Sequence, residues 1–252
     1  MPTRETPWPA GTPCWVDYGA ADIEAAKAFY NDVLGWSYEG GDPEYGGYLT
    51  AQTKGLAAAG MAPQQDPDDP PKWMTYFASD DVDATAARIT EAGGQLLFEP
   101  MDVGPVGRMV IARDPEGHPF GVWQAGEHPG ARIYNEPGAL VWNEAAVDDP
   151  DSAREFYGRV FDFTFDEFPD MGGYTTFKTD GGALGGLTAH QPGALKGWTT
   201  SFSVDSADRA VEAVERGGGK VITPLQDMSF GRFATVEDPW GAPFAVMQEL
   251  PS

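Results

Sequence analysis

Trp15-Val-Asp-Tyr, followed by Asp22-Ile-Glu-Ala-Ala-Lys-Ala-Phe29-Tyr30-Asn-Asp-Val-Leu, returns in the second half as Trp142-Asn-Glu-Ala and Asp149-Pro-Asp-Ser-Ala-Arg-Glu-Phe156-Tyr157-Gly-Arg-Val-Phe. Gly46-Gly47-Tyr48 returns as Gly172-Gly173-Tyr174. Gly107-Arg108, with Asp114-Pro115-Glu116-Gly117-His118-Pro119-Phe120 after it, returns as Gly231-Arg232 with Asp238-Pro239-Trp240-Gly241-Ala242-Pro243-Phe244. Order and spacing hold throughout, so the chain is a tandem duplication. Its division is residues 1–125, a linker at 126–138 and residues 139–252; Gly126, Pro129, Gly130, Pro137 and Gly138 mark the linker.

Each half doubles again. The stretch 15–18 predicts a strand, and 22–34 an amphipathic helix with Ile23, Ala26, Tyr30, Val33 and Leu34 on one face. Asp22 is its N-cap and Gly35 its terminator. Residues 48–61 predict two strands around Lys54-Gly55, and the Pro- and Asp-rich 63–71 a loop. The cycle then restarts: a strand at 73–79, a helix at 81–92 stopped by Gly93-Gly94, and strands near 95–98, 108–113 and 119–124. One strand–helix–strands unit occurs four times.

Of 252 residues, 41% are hydrophobic and 12% aromatic, enough for a sizeable core. The formal net charge of −23 repels phosphate backbones and anionic lipid, which argues against nucleic-acid or membrane partners. A single cysteine, Cys14, excludes an intrachain disulfide and any Cys-rich metal site. With no apolar run of 18 residues and no apolar core in the first 13, a cytoplasmic protein is expected.

The pattern resembles the vicinal oxygen chelate superfamily, which includes glyoxalase I, extradiol dioxygenases and the fosfomycin and bleomycin resistance proteins. The residues that carry the resemblance are Asp22 with Phe29-Tyr30 and Leu34-Gly35-Trp36, Asp81-Val-Asp, Ala92-Gly93-Gly94 and the 114–119 turn, most of them repeated in the second half. It implies an α+β fold of two tandem domains, each made of two βαβββ modules that form a cupped mixed sheet around a small molecule. The halves are then expected to pack about a pseudo-twofold, as separate subunits do in single-domain relatives, and a homodimer is compatible with that symmetry.

The resemblance also implies where a divalent metal would be held: Trp15, Met74 and Gly121 in the first half, Trp142, Thr199 and Ala245 in the second. None offers an imidazole or a carboxylate, and no metal or other cofactor is expected. The three histidines, His118, His128 and His190, fall in a turn, the linker and a loop.

What lies around those positions is aromatic and acidic. Two residues after each tryptophan, on the same strand face, stand Asp17 and Glu144: acid/base groups, partners for a cationic ligand, or structural acids paired with Arg108 and Arg232. Trp15 and Trp142 are either ligand walls or fillers of the space a metal leaves. Tyr48 and Tyr174 orient a ligand or belong to the core. Tyr76 and Ser201 share a face with Met74 and Thr199 and complete the expected lining. Two functions remain: a metal-free protein that binds or sequesters a cationic or aromatic compound, or a lyase, isomerase, hydroxylase or dioxygenase-type enzyme working through its carboxylates.

Overall fold

The computed structural model describes residues 1–64, 66, 68, 70–192 and 194–250. Parts of the predicted loops at 63–71 and 190–196, namely 65, 67, 69 and 193, lie outside the described residues.

The first half runs β1 (Pro13–Ala20), α1 (Ile23–Leu34), β2 (Ser37–Gly40), β3 (Leu49–Thr53), β4 (Leu56–Pro63), β5 (Trp73–Ala78), α2 (Val82–Glu91), β6 (Gln95–Leu96), β7 (Met101–Val103), β8 (Gly107–Arg113) and β9 (Pro119–Ala125). The second runs β10 (Leu140–Val147), α3 (Pro150–Phe161), β11 (Thr164–Phe168), β12 (Tyr174–Lys178), β13 (Gly185–Ala189), β14 (Gly197–Ser203), α4 (Ala207–Arg216), β15 (Lys220–Met228), β16 (Gly231–Glu237) and β17 (Pro243–Glu249). The short β2 and its equivalent β11, and β7, are additions to the strands read from the sequence.

Each half forms its own mixed sheet. The strand orders are β2-β3-β4-β1-β5-β9-β8-β6, with β7 on β8, and β11-β12-β13-β10-β14-β17-β16-β15. Within each sheet the two modules join where their first strands pair antiparallel, β1 with β5 and β10 with β14. Local chemistry sets the helix ends. Asp22, Asp81, Asp149 and Ser206 accept hydrogen bonds from first-turn amides, and Gly35 closes α1 with a left-handed φ of 72°.

The main cores are shared between the halves. One joins β1 and α1 (Tyr18, Phe29, Tyr30, Val33) to β14, α4 and β17 (Phe202, Val211, Val214, Phe244). The other joins Phe77, Val82, Ile89 and Phe120 to Phe156, Tyr157, Phe161 and Phe177. A buried polar contact sits in each. Tyr30 donates to Asp238 Oδ2 at 2.9 Å while Trp73 Nε1 donates to the Tyr30 hydroxyl at 3.1 Å. Tyr157 donates to Asp114 Oδ2 at 2.9 Å and receives Trp198 Nε1 at 2.9 Å. The Phe-Tyr pair of one half therefore meets the Asp-Pro turn of the other, reciprocally. Turn geometry alone does not account for Asp114 and Asp238: each turn aspartate is also the buried acceptor across the junction.

Residues 126–138 connect β9 to β10. They are tied down along their length: Ala131 N donates to Cys14 O at 2.7 Å, Arg132 N to Ala57 O at 2.8 Å, and Trp8 Nε1 to Ala131 O at 3.1 Å. Ala131 and Ile133 are buried.

Candidate functional site

The sheet face opposite the shared cores carries three rows of directly opposed residues in each half. In the first sheet these are Thr50–Gly60–Asp17–Met74, Trp15–Tyr76–Gly121–Ile111 and Ala78–Trp123–Met109. In the second they are Thr176–Gly186–Glu144–Thr199, Trp142–Ser201–Ala245–Thr235 and Ser203–Met247–Phe233. Opposed residues share a face, so each set lines one cup. The structure thus gathers Trp15, Asp17, Met74 and Tyr76 on one cup wall and Trp142, Glu144, Thr199 and Ser201 on the other, with Tyr48 and Tyr174 reaching in by their hydroxyls.

In the first cup, Trp15 Nε1 donates to Asp17 Oδ1 at 2.8 Å and to the Tyr48 hydroxyl at 2.9 Å, and Tyr48 donates to the same Asp17 oxygen at 2.6 Å. Burial raises the Asp17 pKa above the usual carboxylate value, against the pull of the bonds from Tyr48, Trp15 and Tyr76. In the second cup the cluster is looser. Trp142 Nε1 donates to the Tyr174 hydroxyl at 2.9 Å, and Tyr174 donates to Glu144 Oε2 at 3.2 Å. Burial also raises the Glu144 pKa, with the Tyr174 bond opposing it. Both clusters need a glycine beneath them. A Cβ on Gly60 would collide with Asp17 and Tyr48, and one on Gly186 with Tyr174. The glycine-rich hairpins serve this close approach.

The arginine pairing weighed from the sequence is not formed. Arg108 bonds Asp83 and Asp102, and Arg232 bonds Asp208 and Asp227. Tyrosine holds both cup acids instead, joined at Asp17 by Trp15.

The cups differ in their filling. In the first, Trp15 (4% exposed), Tyr76 (7%) and Trp123 (8%) form a buried cluster with Cys14, Ile111 and Ala131, and Trp8 packs on it. Gly121 is where the Tyr76 ring lies, with no room for a Cβ. His128 stands edge-on to Trp15, ring centroids 4.5 Å apart, and its own ring is held neutral by burial, with a pKa near 4. In the second cup, Trp142, Thr235 and Met247, which correspond to Trp15, Ile111 and Trp123, are only half-buried. Sequence reasoning missed Trp123 and the linker residue His128. Alternation from Gly121 along β9 points to the first; nothing in the sequence signals the second.

The model of the Glyoxalase/Bleomycin resistance protein/Dioxygenase superfamily matches residues 15–122 and 139–246. This chain belongs to that superfamily. It is 39% identical over 260 residues to "Putative glyoxylase CFP32" of Mycobacterium tuberculosis (strain CDC 1551 / Oshkosh), covering 100% of this chain and 99% of that one. It is 32% identical over 263 residues to "Anthracycline biosynthesis protein DnrV" of Streptomyces peucetius, covering 94% and 93%. The Mn(II)-bound glyoxalase of Novosphingobium aromaticivorans superposes with a TM-score of 0.67 at 17% identity, over 96% of this chain and 83% of that one. The 2,3-dioxygenase LapB of Pseudomonas sp. KL28 superposes with 0.66 at 15%, over 97% and 93%. Both likenesses are of fold.

The Mn(II) held by that glyoxalase raises the question of whether these cups suit a divalent ion. Each cup supplies one carboxylate with hydroxyls and indoles around it, and no group of three His, Cys, Asp or Glu side chains gathers among the described residues. That donor set does not fit a divalent ion, which takes several nitrogen or oxygen ligands at fixed geometry.

Proposed function

We propose that this superfamily member binds a small aromatic molecule in a cup, without a metal, and holds it by an indole wall and a carboxylate. The observation that carries the reading is the tryptophan–tyrosine–carboxylate cluster, built in both cups around the positions where the resemblance puts metal ligands. An indole face favours flat rings and cations, and an acid in an apolar wall favours a donor or a positive charge. The 32% identity to a protein named for anthracycline biosynthesis supports a polycyclic aromatic ligand. The same reading takes residues 1–125 and 139–252 as the two domains, with 126–138 between them, and sets the protein in the cytoplasm.

A specific observation favours the second reading, an acid/base enzyme: the raised pKa of Glu144 in a half-open cup suits proton transfer. The carboxylate would take a proton from a bound substrate, becoming neutral and leaving the substrate as its conjugate base; Tyr174, which donates to Glu144, would hold the carboxylate in place before the transfer. Titration of flat cationic, neutral and anionic aromatics against tryptophan emission tests binding, at low and high salt. Saturable quenching is expected, strongest for the cation and weakened by salt. Silence to every compound overturns the binding reading. Chemical conversion of a bound compound, lost in Glu144→Gln while binding persists, would place the protein with the enzymes.

A further inference from the structure

We propose that the second cup alone takes the ligand, a flat aromatic carrying an ammonium or hydroxyl donor that bonds Glu144, and that the first cup is occupied by the protein's own chain. The assignment rests on the binding reading above and adds which site is used and what the ligand must present.

In the first cup the aromatic wall is buried, and one polar atom there, His128 Nε2, has no partner among the described residues. The cup's carboxylate is satisfied internally, Asp17 Oδ1 receiving both Trp15 Nε1 and the Tyr48 hydroxyl. The space over its indole is taken by an imidazole, His128, carried in by the segment that Ala131 and Arg132 anchor to β1 and β4. A heteroaromatic ring packed on the cup tryptophan is thus already present in this chain, supplied by the linker.

The second cup repeats the wall without the occupant. Tyr76 is replaced by Ser201, Trp123 by Met247 and Ile111 by Thr235, while Met109 is replaced by Phe233, so the lining loses two rings and gains one nearer the rim. Glu144 has one hydrogen-bond donor among the described residues, Tyr174 on Oε2, so Oε1 is left to accept from a ligand. Its rim is apolar and exposed, as is that of the first cup, where exposed Met101 pairs with Met109. Phe168 lies opposite Tyr174 and shares its face. Met228 is two residues beyond Gln226, which pairs with Phe233 of the cup wall. The exposed Phe230 ring lies 6.3 Å from Phe233. Exposed large apolar side chains ringing a cup with a polar floor fit a flat molecule with one polar edge.

The probes are 9-aminoacridine, flat and cationic, and anthraquinone-2-sulfonate, flat and anionic, titrated calorimetrically into the full chain. The expected result is one equivalent of 9-aminoacridine, bound more tightly than the sulfonate. Glu144→Gln, nearly isosteric, should weaken it at least tenfold, and Trp142→Phe should remove most of the emission quenching. The triple change Ser201→Tyr, Ala245→Gly and Met247→Trp rebuilds the filling of the first cup and should abolish binding with an unchanged circular dichroism spectrum. Two equivalents, or an affinity lost with Asp17→Asn and kept in Glu144→Gln, overturn the assignment while the binding reading stands. So does a dimer in sedimentation that dissociates on Phe168→Ser with Phe230→Ser and competes with the probe, because a second copy then covers the rim. A wild-type chain that binds neither probe overturns this assignment, and silence across the wider panel of aromatics removes the binding reading with it.

Discussion

Asp17 and Glu144 are equivalent in the duplication yet differently served: the first receives Trp15 and Tyr48 on one oxygen and is bonded by Tyr76 as well, the second a single longer bond. Burial raises the pKa of both. The folded chain therefore holds protons on these acids at pH values where the unfolded chain has released them. In the window from the ordinary carboxylate value up to the raised one, stability falls as pH rises. Glu144→Gln should flatten that part of the pH–stability curve measured by urea unfolding; an unchanged slope would place the titration elsewhere. Cation binding should move the opposite way, strengthening as pH rises and Glu144 ionises. The glycines under the clusters give a second test at this scale. Gly60→Ala puts a methyl where Asp17 and Tyr48 meet, and should cost about 1–3 kcal/mol, the range for an overpacked core site. A thermal shift of less than a degree would mean that the cluster gives way without loss.

Among the elements, the helices follow from sequence signals and the outer strands do not. Asp22, Asp81 and Asp149 cap their helices as short polar side chains do before an apolar-periodic run. Removing one, as in Asp149→Ala, should cost roughly 1 kcal/mol in denaturant unfolding. The strands β2, β7 and β11 are short and mostly exposed, and their residues carry little alternation to read. Segment 126–138 has the composition of a tether, Pro- and Gly-rich, yet backbone hydrogen bonds to Cys14 and Ala57 hold its middle against the first cup. Limited proteolysis should therefore cut the exposed β11–β12 turn at 169–173 before it cuts 130–134, because a protease needs several residues of free backbone. First cleavage at 130–134 would show that the segment lifts off the cup in solution.

For the whole molecule, the duplication is a division of sequence and of sheets but not of cores. Phe29 and Tyr30 pack with Phe244, and Phe156 and Tyr157 with Phe120. Each buried aromatic of this kind contributes roughly 1.5–3 kcal/mol, so a separated half would leave a large part of its stabilising burial in water. Expressed alone, residues 1–125 or 139–252 should aggregate or self-associate, and the intact chain should unfold in one transition seen equally by tryptophan emission and circular dichroism. Two separate transitions would show that each sheet stands without the other's helices. Tyr30→Phe probes the junction directly. It removes the donor to Asp238 and leaves a buried carboxylate with one bond fewer, at a cost of about 1–3 kcal/mol.

The repeat, the four-module order and the shared face of Trp15 with Asp17 and of Trp142 with Glu144 were legible in the chain itself; the resemblance supplied the α+β class and the inward direction of that face. Duplication preserves spacing, and strand alternation with a period of two assigns faces without any knowledge of neighbours. The Asp-Pro turns also stood out, but their partners did not: Tyr30 meets Asp238 and Tyr157 meets Asp114 across the two halves, and only packing of the two sheets brings them together. The same holds for the cups. Two equivalent walls read alike in one dimension. Which is filled depends on where Trp8 and His128 come to rest, and those segments carry no periodicity; they are held by hydrogen bonds between residues distant in sequence. Local pattern decides elements because neighbours along the chain set them; what packs over a cup is set by residues far apart in sequence, so only the tertiary fold decides it.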